Sequence, residues 1–169
     1  MMPEDAAVFA EIQERSYSRA SPGILTSYPR SRAMDGLRMA AFLNGRRYAV
    51  CATARMDGRP QASPVAFIIW NGAFWFASVR GARLRNLRAR PYASVVIMDG
   101  EGSAHRAVIA EGPVLLHEMA SADALAEGFR QRWVGRHGAL PSWAAALIEI
   151  RPNRLFSYDA TIEAPREEG

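Results

Sequence analysis

The stretch FWFASVRGARLRNLRARP, Phe74 to Pro91, starts as an apolar strand, turns at one glycine and carries five arginines, one just before that glycine and four after it, without an acid. No acidic residue falls between Asp57 and Asp99, and Arg59 adds a sixth arginine to that interval. Leu84, Leu87 and Arg88 recur at helical spacing, so Ala82 to Ala89 reads as a short helix stopped before Pro91. The first turn of a helix has free N–H groups and partial positive charge, and acids belong there. Here the turn opens with Arg80, Gly81, Ala82 and Arg83. An anion resolves that conflict: phosphate at the helix start, with glycine allowing close approach and Ser78 adding a hydroxyl at the strand end. Arg83, Asn86 and Arg90 share one side of the helix. A solvated basic face is the other reading, and Arg85 and Arg88 belong to it. The neighbouring aromatics raise a third, single-stranded nucleic acid. Strand alternation separates Trp75 from Phe74 and Phe76, which is ordinary packing, so a small phosphate ranks ahead of nucleic acid.

Other reactive side chains are sparse. His105, His117 and His137 are scattered, with no HExxH and no cysteine partner, so no metal site is expected. Ser63, in ASPV, lacks the GxSxG context of a hydrolase nucleophile. Cys51 sits inside an apolar strand and reads as packing. Arg130, Arg132 and Arg136 read either as a solvated helix end or as a lid facing an acidic ligand. Trp133 and Trp143 could pack on a ligand or on the N-terminal helix.

The elements that must position these residues follow from periodicity and turn chemistry. Residues 3–17 read as a helix with a narrow apolar stripe at Val8, Ile12 and Phe9, expected at the periphery. A Ser/Pro/Gly-rich loop follows. Asp35 can cap a helix ending at Asn44-Gly45. Strands are expected at 48–55, 60–70, 73–78, 92–98 and 106–116, with tight turns at Asp57-Gly58 and Asn71-Gly72 and a bulge or edge at Gly112-Pro113. Ser121 can cap a helix through about Trp133, and strands at 145–151 and 154–160 close the chain. Two hairpins and closely spaced strands point to an antiparallel barrel with peripheral helices. The order is not βαβ and there is no GxGxxG, so a dinucleotide-binding sheet is a poor fit.

Composition narrows the class. The 169 residues are 49% hydrophobic and 22% charged, enough for one domain with a real core. No apolar run approaches the roughly 20 residues of a membrane span. The acidic, weakly apolar start does not resemble a signal peptide, and a lone cysteine fits a reducing compartment, so a cytoplasmic protein is expected. Net charge is +4 and the pI about 9.8. All 21 basic residues are arginine, so the placement of the arginines carries more than their type.

Taken together, ATARMDGRPQASPVAF, FWFASVRGARLRNLRARP and AVIAEGPVLL resemble the split-barrel flavoproteins related to pyridoxamine 5'-phosphate oxidase. The match spans about residues 35 to 116, with an echo in IEIRPNRLFSYD. The resemblance implies a mainly β chain with peripheral helices, a six-stranded antiparallel split β-barrel that forms a homodimer with a cofactor at each interface. Residues 1–34 would be an N-terminal helix and loop, 35–160 the flavin-binding barrel and 161–169 a tail. The implied cofactor is FMN, or in one branch the deazaflavin coenzyme F-420. Its phosphate would lie against Ser78 and Arg83, with Arg80 and Asn86 beside them. Its ring would pack along Ala62, Ser63, Pro64 and Val65, and the partner subunit would add His105 and Arg106. The C-terminal Arg/His pair with which pyridoxamine-phosphate oxidases hold their substrate has no match in residues 154–169. The implied activity is therefore hydride transfer to or from another small conjugated substrate, with no protein side chain assigned a catalytic role. A non-catalytic FMN- or haem-binding protein is the alternative.

Overall fold

The structure is a computed structural model that describes residues 1–119, 123–139 and 142–162. The expected cap at Ser121 and most of the expected tail lie outside the described residues. Eight strands form one antiparallel sheet: β1 (Tyr48–Ala54), β2 (Pro60–Ala66), β3 (Ile68–Trp70), β4 (Ala73–Ser78), β5 (Tyr92–Asp99), β6 (Arg106–Glu118), β7 (Ala146–Ile150) and β8 (Arg154–Asp159). The order is β2-β1-β5-β6-β7-β4-β3, with β8 also on β6. Five helices accompany them: α1 (Pro3–Ser18), α2 (Pro22–Ser27), α3 (Gly36–Asn44), α4 (Ala82–Ala89) and α5 (Asp123–His137). The mainly β split barrel is as expected, although the sheet counts eight strands rather than six, in part because the 60–70 run is divided at Phe67. The loop before α3 holds the short α2, which its Ser/Pro/Gly content concealed.

Both hairpin turns form as their residues dictate. Asn71 and Gly72 have φ of 52° and 68°, the left-handed pair that a two-residue turn needs between twisted strands. The expected strand 60–70 is broken at Phe67. Its N–H donates to the Arg47 carbonyl at 3.1 Å, and its own carbonyl accepts from His137 Nε2 at 2.9 Å. Before Phe67 the chain pairs with β1; after it, with β4. The two ends of the strand order are thus joined through one buried residue, while β2 and β4 form no ladder with each other. That gap is the split in the barrel.

Strand β6 is the longest and has three partners. Arg106–Pro113 pairs with β5, Arg106–Glu111 with β8, and Val114–Glu118 with β7. Strands β7 and β8 run in sequence along it, with Arg151–Asn153 bulging opposite Gly112 and Pro113. A Cβ on Gly112 would collide with the Arg151 carbonyl oxygen and lie 2.9 Å from Pro152 Cα. Close backbone approach therefore requires glycine there.

Helix α1 is not peripheral. Phe9 is 0% exposed and stacks on Phe74 at a centroid distance of 5.0 Å; Ile12 joins the same core. The expected stripe was too narrow because polar residues share the buried face. Gln13 Nε2 donates to the Met34 carbonyl at 2.7 Å, and its Oε1 accepts from Ser157 Oγ at 2.5 Å. Ser16 Oγ accepts from the Leu155 N–H at 2.9 Å, and Tyr17 donates to the Ser157 carbonyl at 3.2 Å. Satisfied in this way, these groups bury without the penalty of a lone polar atom. Phe9→Ala should cost about 3–5 kcal/mol in denaturant unfolding, as for other buried aromatics. Leu37→Ala, at a side chain 84% exposed, should change stability by less than about 0.5 kcal/mol.

Candidate functional site: the cleft at the barrel split

The split between β2 and β4 opens into a cleft of about 490 Å³. Pro64, Val65 and Ala66 of β2 line one side; Ala77 of β4 and Val79 beyond it line another. Tyr48, Trp133 and Trp143 add aromatic surface, and Arg83 contributes the one charged side chain among the lining residues.

Arg83 stands in the first turn of α4. Leu84 and Leu87, both buried, fix that helix against the barrel and leave Arg83 directed back toward β2. Its Nη2 donates to Ser63 Oγ at 2.7 Å, and its guanidinium lies 5.6 Å from the centre of the Phe76 ring. Among the described residues no carboxylate pairs with it, and its Nε is buried without a hydrogen-bond partner. A buried cationic donor with an unmet bond fits an anionic group.

The other arginines of the stretch point elsewhere. Arg88 pairs with Glu118, Arg90 donates to the Met56 carbonyl at 2.9 Å, and Arg85 is exposed. Arg80 is exposed and does not line the cleft. Ser78 is 1% exposed and its hydroxyl reaches the Val79 carbonyl at 3.3 Å. Asn86 is committed to the frame: its Nδ2 donates to Thr53 Oγ1 and Gln61 Oε1, each at 3.0 Å, tying α4 to the β1–β2 hairpin. The structure thus brings Ser63, Pro64, Val65 and Arg83 together, with Ser78 and Asn86 behind them.

His105 and Arg106 are in other places within the chain. His105 stacks on Tyr158 at 4.8 Å and borders a cavity with Tyr28. Arg106 pairs with Asp99 at 3.1 Å and lies over Phe42. The arginines of α5 do not form a lid over the cleft. Arg132 lies over Trp70, Arg130 pairs with Glu127 at 3.6 Å, and Arg136 binds the Leu43 and Arg46 carbonyls. What α5 brings to the cleft is Trp133. The segment before β7 brings Trp143, so that, of the two places the sequence allowed these tryptophans, both take the border of the cleft.

Cys51, opposite Ser63 on β1, lies beneath this region and is 1% exposed. Burial pushes its thiol up to about 11, against the opposing pull of Arg83. Among the described residues no three His, Cys, Asp or Glu side chains converge as metal ligands, and no helix is long and apolar enough to cross a membrane. Since only the thiolate reacts, a rise from 9.0 to about 11 removes about 99% of it at pH 8. Iodoacetamide should therefore modify native Cys51 at least about a hundredfold more slowly than the urea-unfolded chain. Equal rates in the two states would show that the strand opens readily.

Comparison with known proteins agrees with this architecture. No curated protein matches. Among solved structures, a conserved hypothetical protein from Mycobacterium tuberculosis is 22% identical with a TM-score of 0.68, covering 79% of this chain and 90% of that one. HutZ, the heme storage protein of Vibrio cholerae, is 20% identical with a TM-score of 0.62, covering 71% and 92%. An FAD-binding protein of Mesorhizobium loti is 19% identical with a TM-score of 0.59, covering 75% and 93%. At such identities these likenesses speak to the fold. A family model described as pyridoxamine 5'-phosphate oxidase matches residues 38–159, from α3 to the end of β8. The chain belongs to the pyridoxamine 5'-phosphate oxidase family.

Proposed function

We propose that this protein is a flavin-dependent oxidoreductase that binds FMN in the split-barrel cleft and moves a hydride to or from a small conjugated substrate. The observation that carries the reading is Arg83, a cation with a buried unmet Nε and no carboxylate partner among the described residues, bordering a largely apolar cleft. Phosphate suits the guanidinium, and an apolar groove suits a flat ring system. The bound flavin would supply the hydride chemistry. Arg83, with Ser63, would hold the phosphate; Pro64, Val65 and Ala66 would give the ring an apolar bed and keep water from it. A cytoplasmic setting suits the free thiol of Cys51.

The reading includes a homodimer with His105 and Arg106 completing the partner's cleft. The outer sheet face supports it. Val50 has Pro64 and Val96 as cross-strand neighbours, and Tyr48 and Met98, two residues further along their strands, are exposed. A contiguous apolar face of this kind suits a second copy. Val50→Asp should convert a dimer to a monomer by light scattering; a wild-type monomer with full cofactor affinity would refute the pairing.

The absorption spectrum and mass of the copurifying molecule distinguish FMN from deazaflavin and haem. For the phosphate contact, Arg83→Ala should weaken FMN binding roughly ten- to a hundredfold, from a charge-assisted bond of about 1.5–3 kcal/mol. Riboflavin, which lacks the phosphate, should bind Arg83→Ala and wild type alike. Arg88→Ala should alter neither ligand. Equal losses for Arg83→Ala and Arg88→Ala would reduce the stretch to a diffuse basic face.

A further inference from the structure

Trp143 borders the cleft and is 56% exposed. Its backbone is nonetheless well placed. Two residues on, the Ala145 N–H donates to the Ser78 carbonyl at 2.9 Å and the Ala145 carbonyl accepts from the Met119 N–H at 3.2 Å. The chain is thus pinned between the end of β4 and the end of β6 just after the tryptophan. The indole itself stacks on no ring among the described residues. Trp133, which lines the same cleft, is used differently: it is 4% exposed, stacks on Phe129 at 5.2 Å and meets His137 at 4.5 Å. One tryptophan is part of the core; the other is exposed at the border of an open cleft, two residues before a strand end hydrogen-bonded to both β4 and β6.

We propose that Trp143 is the stacking platform for the planar ring of the molecule whose phosphate Arg83 holds. The inference rests on the flavin reading above. A rigid aromatic anchor loses little conformational freedom on binding, and offset ring stacking adds to the area removed from water. Cation and platform then divide the ligand: Arg83 recognises its charge, Trp143 its ring. The site would accordingly select flat conjugated molecules over flexible phosphoesters of similar size.

This division gives a two-by-two test in the full-length protein, with FMN and riboflavin titrated by calorimetry. Trp143→Ala should weaken both ligands by the same factor, about tenfold, whereas Arg83→Ala should weaken FMN alone. Trp143→Phe should recover most of the loss for both. Circular dichroism and light scattering should find Trp143→Ala folded and of unchanged oligomeric state. If wild type binds FMN and Trp143→Ala binds riboflavin as well as wild type does, the platform is refuted while the flavin reading stands. If Trp143→Ala alters the oligomeric state, the residue is an interface contact and the platform is refuted. If wild type binds neither flavin, both readings fall.

Discussion

Strand β6 supports ladders to three partners, and the rest of the barrel is arranged around the point where two of them change over. On one side its first eight residues bind β5. Along the other run β8 and then β7, with the bulge at Arg151–Asn153 between them. The bulge lies so close to Gly112 that a side chain there is excluded. Because β7 also pairs with β4, this change of partner sets where β4 stands. The position of β4 in turn decides how far it lies from β2. A local requirement for bare backbone at one residue thus falls at the change of partner from which β7, and then β4 beside the cleft, follow in the sheet.

The cleft is a product of incomplete closure. Had β2 and β4 paired, the barrel would have been continuous and the space between them filled by hydrogen bonds. Instead the chain leaves β2 at Phe67, whose backbone is engaged by Arg47 and His137, and reaches β4 through β3 and the Asn71-Gly72 turn. Arg83 reaches over the gap from α4 to Ser63 on β2. Asn86, one helical turn further on, secures the same helix to the β1–β2 hairpin. Two neighbouring polar residues on α4 therefore have different tasks: one holds the helix in place and the other faces the opening with binding capacity to spare.

The sequence was most legible where structure is set locally. Asp57-Gly58 and Asn71-Gly72 make tight turns because of their own backbone preferences, and α4 ends before Pro91 for the same kind of reason. Residues that act through distant partners were harder to place. The 60–70 run has no turn signal at Phe67, since the break is imposed by partners on two different elements. Helix α1 looked marginal because Gln13 and Ser16 count as polar in any periodicity; their partners, Ser157 and Leu155, lie about 140 residues away in sequence. The family match begins only at residue 38, yet Phe9 belongs to the same core as β4. In the site, Arg83 stood out by its place in the first turn of α4 and the β2 residues only through the family resemblance, whereas Ser78 and Asn86 are buried. For Trp133 and Trp143 the sequence left two places open, a ligand or the N-terminal helix, and only the start of β7 relative to β4 brings Trp143 to the cleft.

The chemistry of the cleft lining has a consequence for how the site would respond to its surroundings. Among the described residues the lining contains no acid, no histidine and no cysteine, and its one ionic group is a guanidinium. Arginine keeps its charge across the whole biological range. The walls therefore hold no proton exchanger between pH 5 and 8. A phosphomonoester, by contrast, loses its second proton near pH 6. Titration of binding by one protomer would then be the ligand's own, with attraction strengthening as the phosphate becomes dianionic. The described walls would thus act as a fixed electrostatic frame, leaving acidity to be sensed by the guest and by whatever histidine a second copy brings to the opening.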